Sequence, residues 1–176
     1  AAVLPDVPAS AGVAERLPLR DGSLDAVVVA QGFHWFDGEA ALAEVHRTLR
    51  PGGGLGLVWN VRDATVSWVG GLDRIFDRHE GDVMRFWRGE WRKPFLSTAS
   101  FTPLERADFR HEQPTSHEGV VERVLSVSFI AALDAAERER VTNEVRAMLR
   151  ADPLTKDRDE FLFPYITQVY TCRRIP

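Results

Sequence analysis

The segment DAVVVAQGFHWFD, residues 25–37, decides the fold of this chain. Its first half is a short apolar run rich in β-branched valine, which is typical of a buried parallel strand. The run then changes abruptly into a polar and aromatic cluster, as happens at the carboxyl ends of strands in α/β proteins, where ligands bind. We therefore predict a strand over residues 24–30, followed by a ligand-binding loop.

A helix and a second strand follow this loop. Residues 38–50 carry apolar side chains at helical spacing, with Asp37 as the expected N-cap. The proline and glycines of 51–54 end the helix, and residues 55–59 form a second apolar run. Strand, helix and strand make a right-handed βαβ unit with parallel strands. The loops after residues 30 and 59 should therefore open onto the same edge of the sheet.

The flanking sequence predicts further elements. A weak strand (7–13) and a loop (14–23) come before the βαβ unit, and an amphipathic helix (67–79) comes after it. Residues 81–100 mix aromatic and basic side chains without a period, as in a packed loop or a lid over a ligand. Then come a strand (101–113), two helices (117–132 and 134–150) and a last strand of antiparallel character (161–175).

Composition excludes several classes of protein. With 176 residues, 44% of them hydrophobic, the chain can bury a core and is most simply one domain. A net charge of -4 gives no footprint for nucleic acid. No apolar run approaches the roughly 20 residues of a membrane span, and no signal peptide is recognisable. We expect the single cysteine, Cys172, to be a half-buried strand residue. Because one cysteine cannot form an internal disulfide, the sequence favours the reducing cytoplasm.

Three functional interpretations compete. A ligand-binding α/β enzyme would use the polar side chains after the two parallel strands, which are Gln31, His34, Trp35, Asn60, Arg62 and Asp63. A hydrolase or metalloenzyme is disfavoured, because there is no G-x-S-x-G motif and the five histidines lack the spacing of metal ligands. The third interpretation is a module that binds a partner without catalysis.

Four short motifs resemble the class I S-adenosylmethionine-dependent methyltransferases, especially the ubiquinone-biosynthesis and trans-aconitate methyltransferases. They are AERLP (14–18), DGSLD (21–25), HW (34–35) and LRPGG (49–53), in family order and spacing across roughly residues 7–60. The resemblance implies a Rossmann-like α/β sheet with an antiparallel last strand. It also implies methyl transfer from S-adenosylmethionine to a small-molecule acceptor.

The resemblance also implies a set of site residues. The cofactor-binding positions would be Val13, Ala14, Glu15, Ala30, Gln31, Gly32, Phe33, His34 and Trp35. His34 would be the catalytic candidate, either as a general base or as a histidine that shapes the loop through backbone hydrogen bonds. Trp35 would pack beneath the cofactor or take part in catalysis. For the acceptor pocket we predict Trp59, Asn60, Arg62, Trp87, Trp91 and Tyr165, and no metal ligand.

Three family features are missing from this sequence. Val13 stands where many relatives place an adenine-binding aspartate, so the backbone would have to hold the adenine. The glycine-rich turn after the first strand and the acidic end of the second are absent, which predicts the loss of two βα units, about 60 residues.

We therefore expect residues 1–176 to be one incomplete methyltransferase domain, with variable segments at about 81–100 and 116–151. This chain alone should bind the cofactor poorly and be inactive. An exposed strand edge should favour self-association. A non-enzymatic module with the same fold is the alternative.

Overall fold

The computed structural model describes residues 7, 9–81 and 86–176, and its central feature is a four-stranded sheet. The strands are β1 (Leu24–Ala30), β2 (Leu49–Arg62), β3 (Glu105–Thr115) and β4 (Phe161–Arg173), in the order β1-β2-β4-β3. β1 and β2 are parallel. β4 runs antiparallel to β2, because hydrogen bonds join Arg174 to Gly53 and Pro164 to Asp63. The predicted α/β sheet with an antiparallel last strand is confirmed.

The βαβ unit forms as predicted, with shifted boundaries. Helix α1 spans Gly38–Thr48, and the Asp37 carboxylate caps it by accepting from the Ala40 N–H at 3.2 Å. The helix ends two residues earlier than predicted because Leu49 already pairs with Leu24 in the sheet. The register then shifts around the glycine turn, where Gly52 has φ +74°. β2 continues three residues beyond the predicted end.

Two predictions about the start of the chain are wrong, namely that residues 7–13 form a strand and that β1 is buried. Among the described residues of 7–13 there is no strand, and Val13 forms only an isolated bridge with Arg16. A strand needs a hydrogen-bonded neighbour, and this segment has none in the described part of the chain. β1 forms where predicted, but it is not buried, since the Val28 side chain is 67% exposed. Within the described residues, β1 lies at the end of the strand order, next to β2 alone.

The other helices also depart from the predicted bounds in places. They are α2 (Ser67–Asp77), α3 (Lys93–Ser97), α4 (His117–Leu125), α5 (Ser128–Ala131) and α6 (Ala135–Ala151), with 3-10 turns at Phe33–Trp35, Phe86–Arg88 and Glu90–Arg92. The predicted helix 117–132 is broken near Ser126, whose hydroxyl donates to the Arg123 carbonyl at 2.7 Å and competes with the helical pattern. β3 begins after Pro103, which has no N–H to donate to a ladder.

The chain groups into two compact units. The first comprises residues 1–59, 84–107 and 169–176, and the second comprises 60–83 and 108–168. The first contains the βαβ unit and a set of packed aromatic rings. The second packs α2, α4 and α6 around buried side chains such as Trp68, Leu72 and Val145. None of the helices in the described part of the chain has the length and apolar character needed to cross a bilayer.

Candidate functional site

The loop at the carboxyl end of β1 is strained where it leaves the strand. Gln31 has φ +59°, a left-handed conformation that non-glycine residues rarely adopt, and its N–H donates to the Val58 carbonyl at 2.9 Å. The following 3-10 turn buries the ring of Phe33 and leaves Trp35 58% exposed. Strain of this kind clusters at functional loops. The predicted cofactor segment 30–35 therefore has an unusual backbone and a large exposed ring.

A hydrogen bond joins the first predicted cofactor segment, residues 13–15, to Asp37, two residues after the second segment, 30–35. The Glu15 carboxylate accepts from the Asp37 N–H at 3.0 Å, at the beginning of α1. This contact brings residues 13–15 beside the loop that follows β1. Val13 lies in the same segment and is 60% exposed. Glu15 is thus engaged in a specific contact, which a freely solvated carboxylate would lack.

The loop 13–23 is held to α1 by two charged residues of the helix. Glu44 accepts from the Leu17 N–H at 2.6 Å and from Arg47, and its side chain is only 11% exposed. Arg47 also donates to the Leu17 and Leu19 carbonyls and pairs with Asp21. The Arg47 hydrogen bonds and then the Leu17 N–H lower the pKa of Glu44 to about 2. We call this set of contacts the loop clamp.

His34 interacts with the strand next to its own. The Trp59 indole N–H donates to His34 Nδ1 at 3.3 Å, and the two ring centroids are 6.4 Å apart. A nitrogen that accepts this bond carries no proton, so a neutral His34 has its proton on Nε2. The side chain that orients His34 is thus an indole, whereas the sequence suggested backbone contacts for a loop-shaping histidine.

Trp59 and Trp91, both predicted for the acceptor pocket, meet in the first unit. Their ring centroids are 4.7 Å apart, and Phe86 stacks on Trp59 at 4.4 Å. Tyr170 contacts Trp91 at 4.9 Å, edge to face. Trp59 and Trp91 are 2% and 5% exposed, so the cluster is packed. The side chain of Trp87 lies outside the described residues.

The other predicted pocket residues belong to the second unit and have partners there. Asn60 accepts from the Thr167 hydroxyl at 2.7 Å. Arg62 pairs with Asp73 at 2.9 Å and lies over the Phe76 ring, 4.3 Å from its centroid. Tyr165 stacks on His111 at 5.3 Å. Its hydroxyl accepts a hydrogen bond from Arg123.

Sequence reasoning missed several of these contacts. The helical pattern of residues 38–50 did not indicate that Glu44 and Arg47 form the loop clamp. Their i,i+3 spacing on the helix was the available signal for an ion pair. Nothing local indicated the partners Leu17 and Asp21, which are 27 and 26 residues away. Tyr170 was predicted only as one residue of the last strand (161–175).

Comparisons with known proteins agree with the fold. A family model described as a methyltransferase domain matches residues 3–57. An uncharacterised methyltransferase-like protein of Schizosaccharomyces pombe is 34% identical over 172 residues, covering 98% of this chain and 67% of the relative. An uncharacterised methyltransferase of Mycobacterium bovis is 37% identical over 166 residues, covering 94% and 65%.

A solved structure supports the same assignment at the level of the fold. It comes from Anaeromyxobacter dehalogenans and is assigned to the type II methyltransferases. Its TM-score is 0.73 at 22% identity, and the match covers 98% of this chain and 74% of that one. The chain belongs to the class I S-adenosylmethionine-dependent methyltransferases. The chain spans about two thirds of the length of these curated relatives. It covers 67% of the Schizosaccharomyces pombe protein and 65% of the Mycobacterium bovis protein.

Proposed function

We propose that this chain forms the carboxyl-terminal part of a methyltransferase that uses S-adenosylmethionine and acts on a small-molecule acceptor. One observation carries the proposal. The hydrogen bond from the Asp37 N–H to Glu15 ties the segment 13–15 to the chain two residues after the loop 30–35, which supports a cofactor site shared by the two segments. The relatives of the chain are methyltransferases, which supports the same class of reaction.

The side chains near this hydrogen bond suit such a cofactor. Val13 and Trp35 are both more than half exposed and can cover a flat ring or a sulfonium group. When bound, S-adenosylmethionine supplies a methyl group activated by its positive sulfur. The protein then has to hold the acceptor in line and exclude water. The strained Gln31 and the loop clamp keep the backbone in place for that task.

We assign His34 a positioning role as a hydrogen-bond donor. Because Trp59 donates to Nδ1, the proton of a neutral His34 is on Nε2. Nδ1 accepts the indole bond and Nε2 carries the proton, so neither ring nitrogen is available as a base while that bond holds. A donor of this kind would orient an oxygen of the acceptor or of the cofactor. The general-base role remains the alternative and requires the bond to Trp59 to break.

The proposal keeps the part of the predicted acceptor pocket that lies in the first unit and adds the setting of the protein. Trp59 and Trp91, which pack against one another there, would back the acceptor site beside His34. β1 has one neighbouring strand, which favours self-association through its other edge. The buried Cys172 fits the reducing cytoplasm.

Calorimetry with S-adenosylhomocysteine tests the proposal. The full gene product should bind it, and Glu15→Ala should weaken binding by about tenfold, the effect of one hydrogen bond to a charged group. Glu39→Ala is the matched control, because Glu39 lies in the first turn of the same helix. The 176-residue chain alone should bind more weakly than micromolar.

Two results would count against these statements separately. If the full gene product does not bind S-adenosylhomocysteine, the chain is better described as a binding module with a methyltransferase fold. Micromolar binding by the 176-residue chain alone would leave the enzyme proposal standing. It would, however, contradict the expectation that this chain binds the cofactor poorly.

A further inference from the structure

A groove in the first unit is not used by the proposed cofactor site. Its volume is about 520 Å³, within the range of small-molecule sites. Apolar side chains from α3 and from the segment that leads into β3 form one part of its lining, and two arginines form the other. The lining includes Phe95, Leu96, Phe101, Leu104, Arg92 and Arg106.

The basic part of the groove is organised around one tyrosine ring. Arg92 donates to the Tyr170 hydroxyl at 2.7 Å and lies 5.2 Å from the centroid of that ring. Arg106 lies 5.7 Å from the same centroid. Two guanidinium groups therefore share one aromatic ring. Among residues 7, 9–81 and 86–176, Arg92 pairs with no carboxylate, so its charge is available to an anion.

The rest of the groove is apolar and partly open to solvent. Leu96 is 86% exposed, the largest exposed fraction among the large hydrophobic side chains of the described residues. Phe101, by contrast, is buried, with only 5% of its side chain exposed, and Phe95 and Leu104 are half-buried. An exposed leucine beside a buried phenylalanine offers an apolar chain a surface from which water is displaced.

We propose that this groove binds a small amphiphilic anion, with its charged head at Arg92 and a short alkyl tail along Leu96. Charge complementarity selects the head, because a guanidinium pairs well with a carboxylate or a phosphate. Leu96 and Phe95 select the tail. The ligand is thus distinguished both from a free inorganic anion, which lacks the tail, and from a neutral alcohol, which lacks the charge.

Calorimetry on the purified protein tests this proposal with octanoate, octyl phosphate, octanol and acetate, all below their micellar concentrations. Octanoate or octyl phosphate should bind at least tenfold more tightly than octanol or acetate, and the better of the two identifies the head group. Arg92→Gln and Leu96→Ser should each weaken that binding by about tenfold. Arg138→Gln, at an exposed position of α6 in the second unit, removes the same charge and should change nothing.

Leu96→Ser is the decisive variant, because a side chain that is 86% exposed can be replaced without unfolding the protein. Three results would overturn the proposal. They are equal binding of octanol, no binding of either amphiphile, and unchanged binding in the Leu96→Ser variant. The outcome does not depend on whether the protein binds S-adenosylhomocysteine, so the two proposals fail or stand separately.

Discussion

β1 and β2 have nearly the same sequence character but opposite environments. Each contains a short, continuously apolar run, residues 26–30 in β1 and 55–59 in β2, and the strands pair in parallel from Ala26 and Gly54 onward. Yet Leu55, Leu57 and Trp59 of β2 are at most 2% exposed, whereas Val28 of β1 is 67% exposed. β2 has neighbours on both sides in the sheet order, and β1 has one. Apolar composition therefore identifies a strand, but its neighbours decide how much of it is buried.

The two strands are also secured in different ways. β2 is stabilised by packing, since alternate side chains along it are buried. The segment before β1 is tied to α1 by the loop clamp, which consists of hydrogen bonds and ion pairs. Packing is insensitive to pH, whereas a carboxylate clamp is not. The predictions below separate these two kinds of stabilisation.

The largest effect on stability should come from truncating a buried side chain of β2. Leu57→Ala removes a side chain with 0% exposure and should lower the free energy of unfolding by about 2–5 kcal/mol, because it loses apolar burial and leaves a cavity. Val28→Ala in β1 should change it by less than about 0.5 kcal/mol. Urea unfolding of both variants measures the contrast. Equal losses would show that the outer face of β1 is covered in solution.

An intermediate effect should come from the loop clamp, and it should depend on pH. The pKa of Glu44 is about 2 in the folded protein, below its ordinary value of 4.5. Its stabilisation is therefore complete above about pH 4.5 and is lost as the pH falls toward 2. Glu44→Gln should lower the melting temperature at pH 7 and flatten its decrease between pH 4.5 and 2. Glu39→Gln is the control, and a parallel decrease in wild type and Glu44→Gln would refute the clamp.

The smallest effect should distinguish the ends of the two strands. Gln31 has a left-handed backbone, so Gln31→Gly should relieve strain and raise the free energy of unfolding by about 0.5 kcal/mol. Asn60, at the corresponding end of β2, lies within the strand and accepts from Thr167. Asn60→Gly should therefore destabilise the protein. Urea midpoints measure both variants, and destabilisation by Gln31→Gly would mean that the glutamine side chain is itself needed for the loop.

Much of the fold could be predicted because its signals are local. The run 24–30 and the helix after Asp37 each follow from neighbouring residues, and both are present in the structure. The helix ends at Thr48, however, and the predicted stop at 51–54 lies within β2. The prediction of a weak strand at 7–13 was wrong for a reason that is not local, because a strand forms only beside a partner strand. The helix 117–132 failed because the Ser126 hydroxyl competes with the helical pattern.

The contacts of the candidate site could likewise be predicted only in part. The parallel βαβ topology predicted that the loops after β1 and β2 share an edge, and His34 does meet Trp59. No local pattern could show that Arg62 is already paired with Asp73. The cofactor and acceptor roles of these residues stay predictions until binding is measured.

The sequence by itself determined the family, the order of the central elements and the residues that follow each parallel strand. These features depend on apolar periodicity, on capping and on motifs that lie within a few residues of one another. Only the tertiary structure decided that β1 is exposed, that Glu44 and Arg47 hold the preceding loop, and that Arg92 and Arg106 face one tyrosine ring. Burial and pairing depend on residues distant in the chain, which only folding brings into contact.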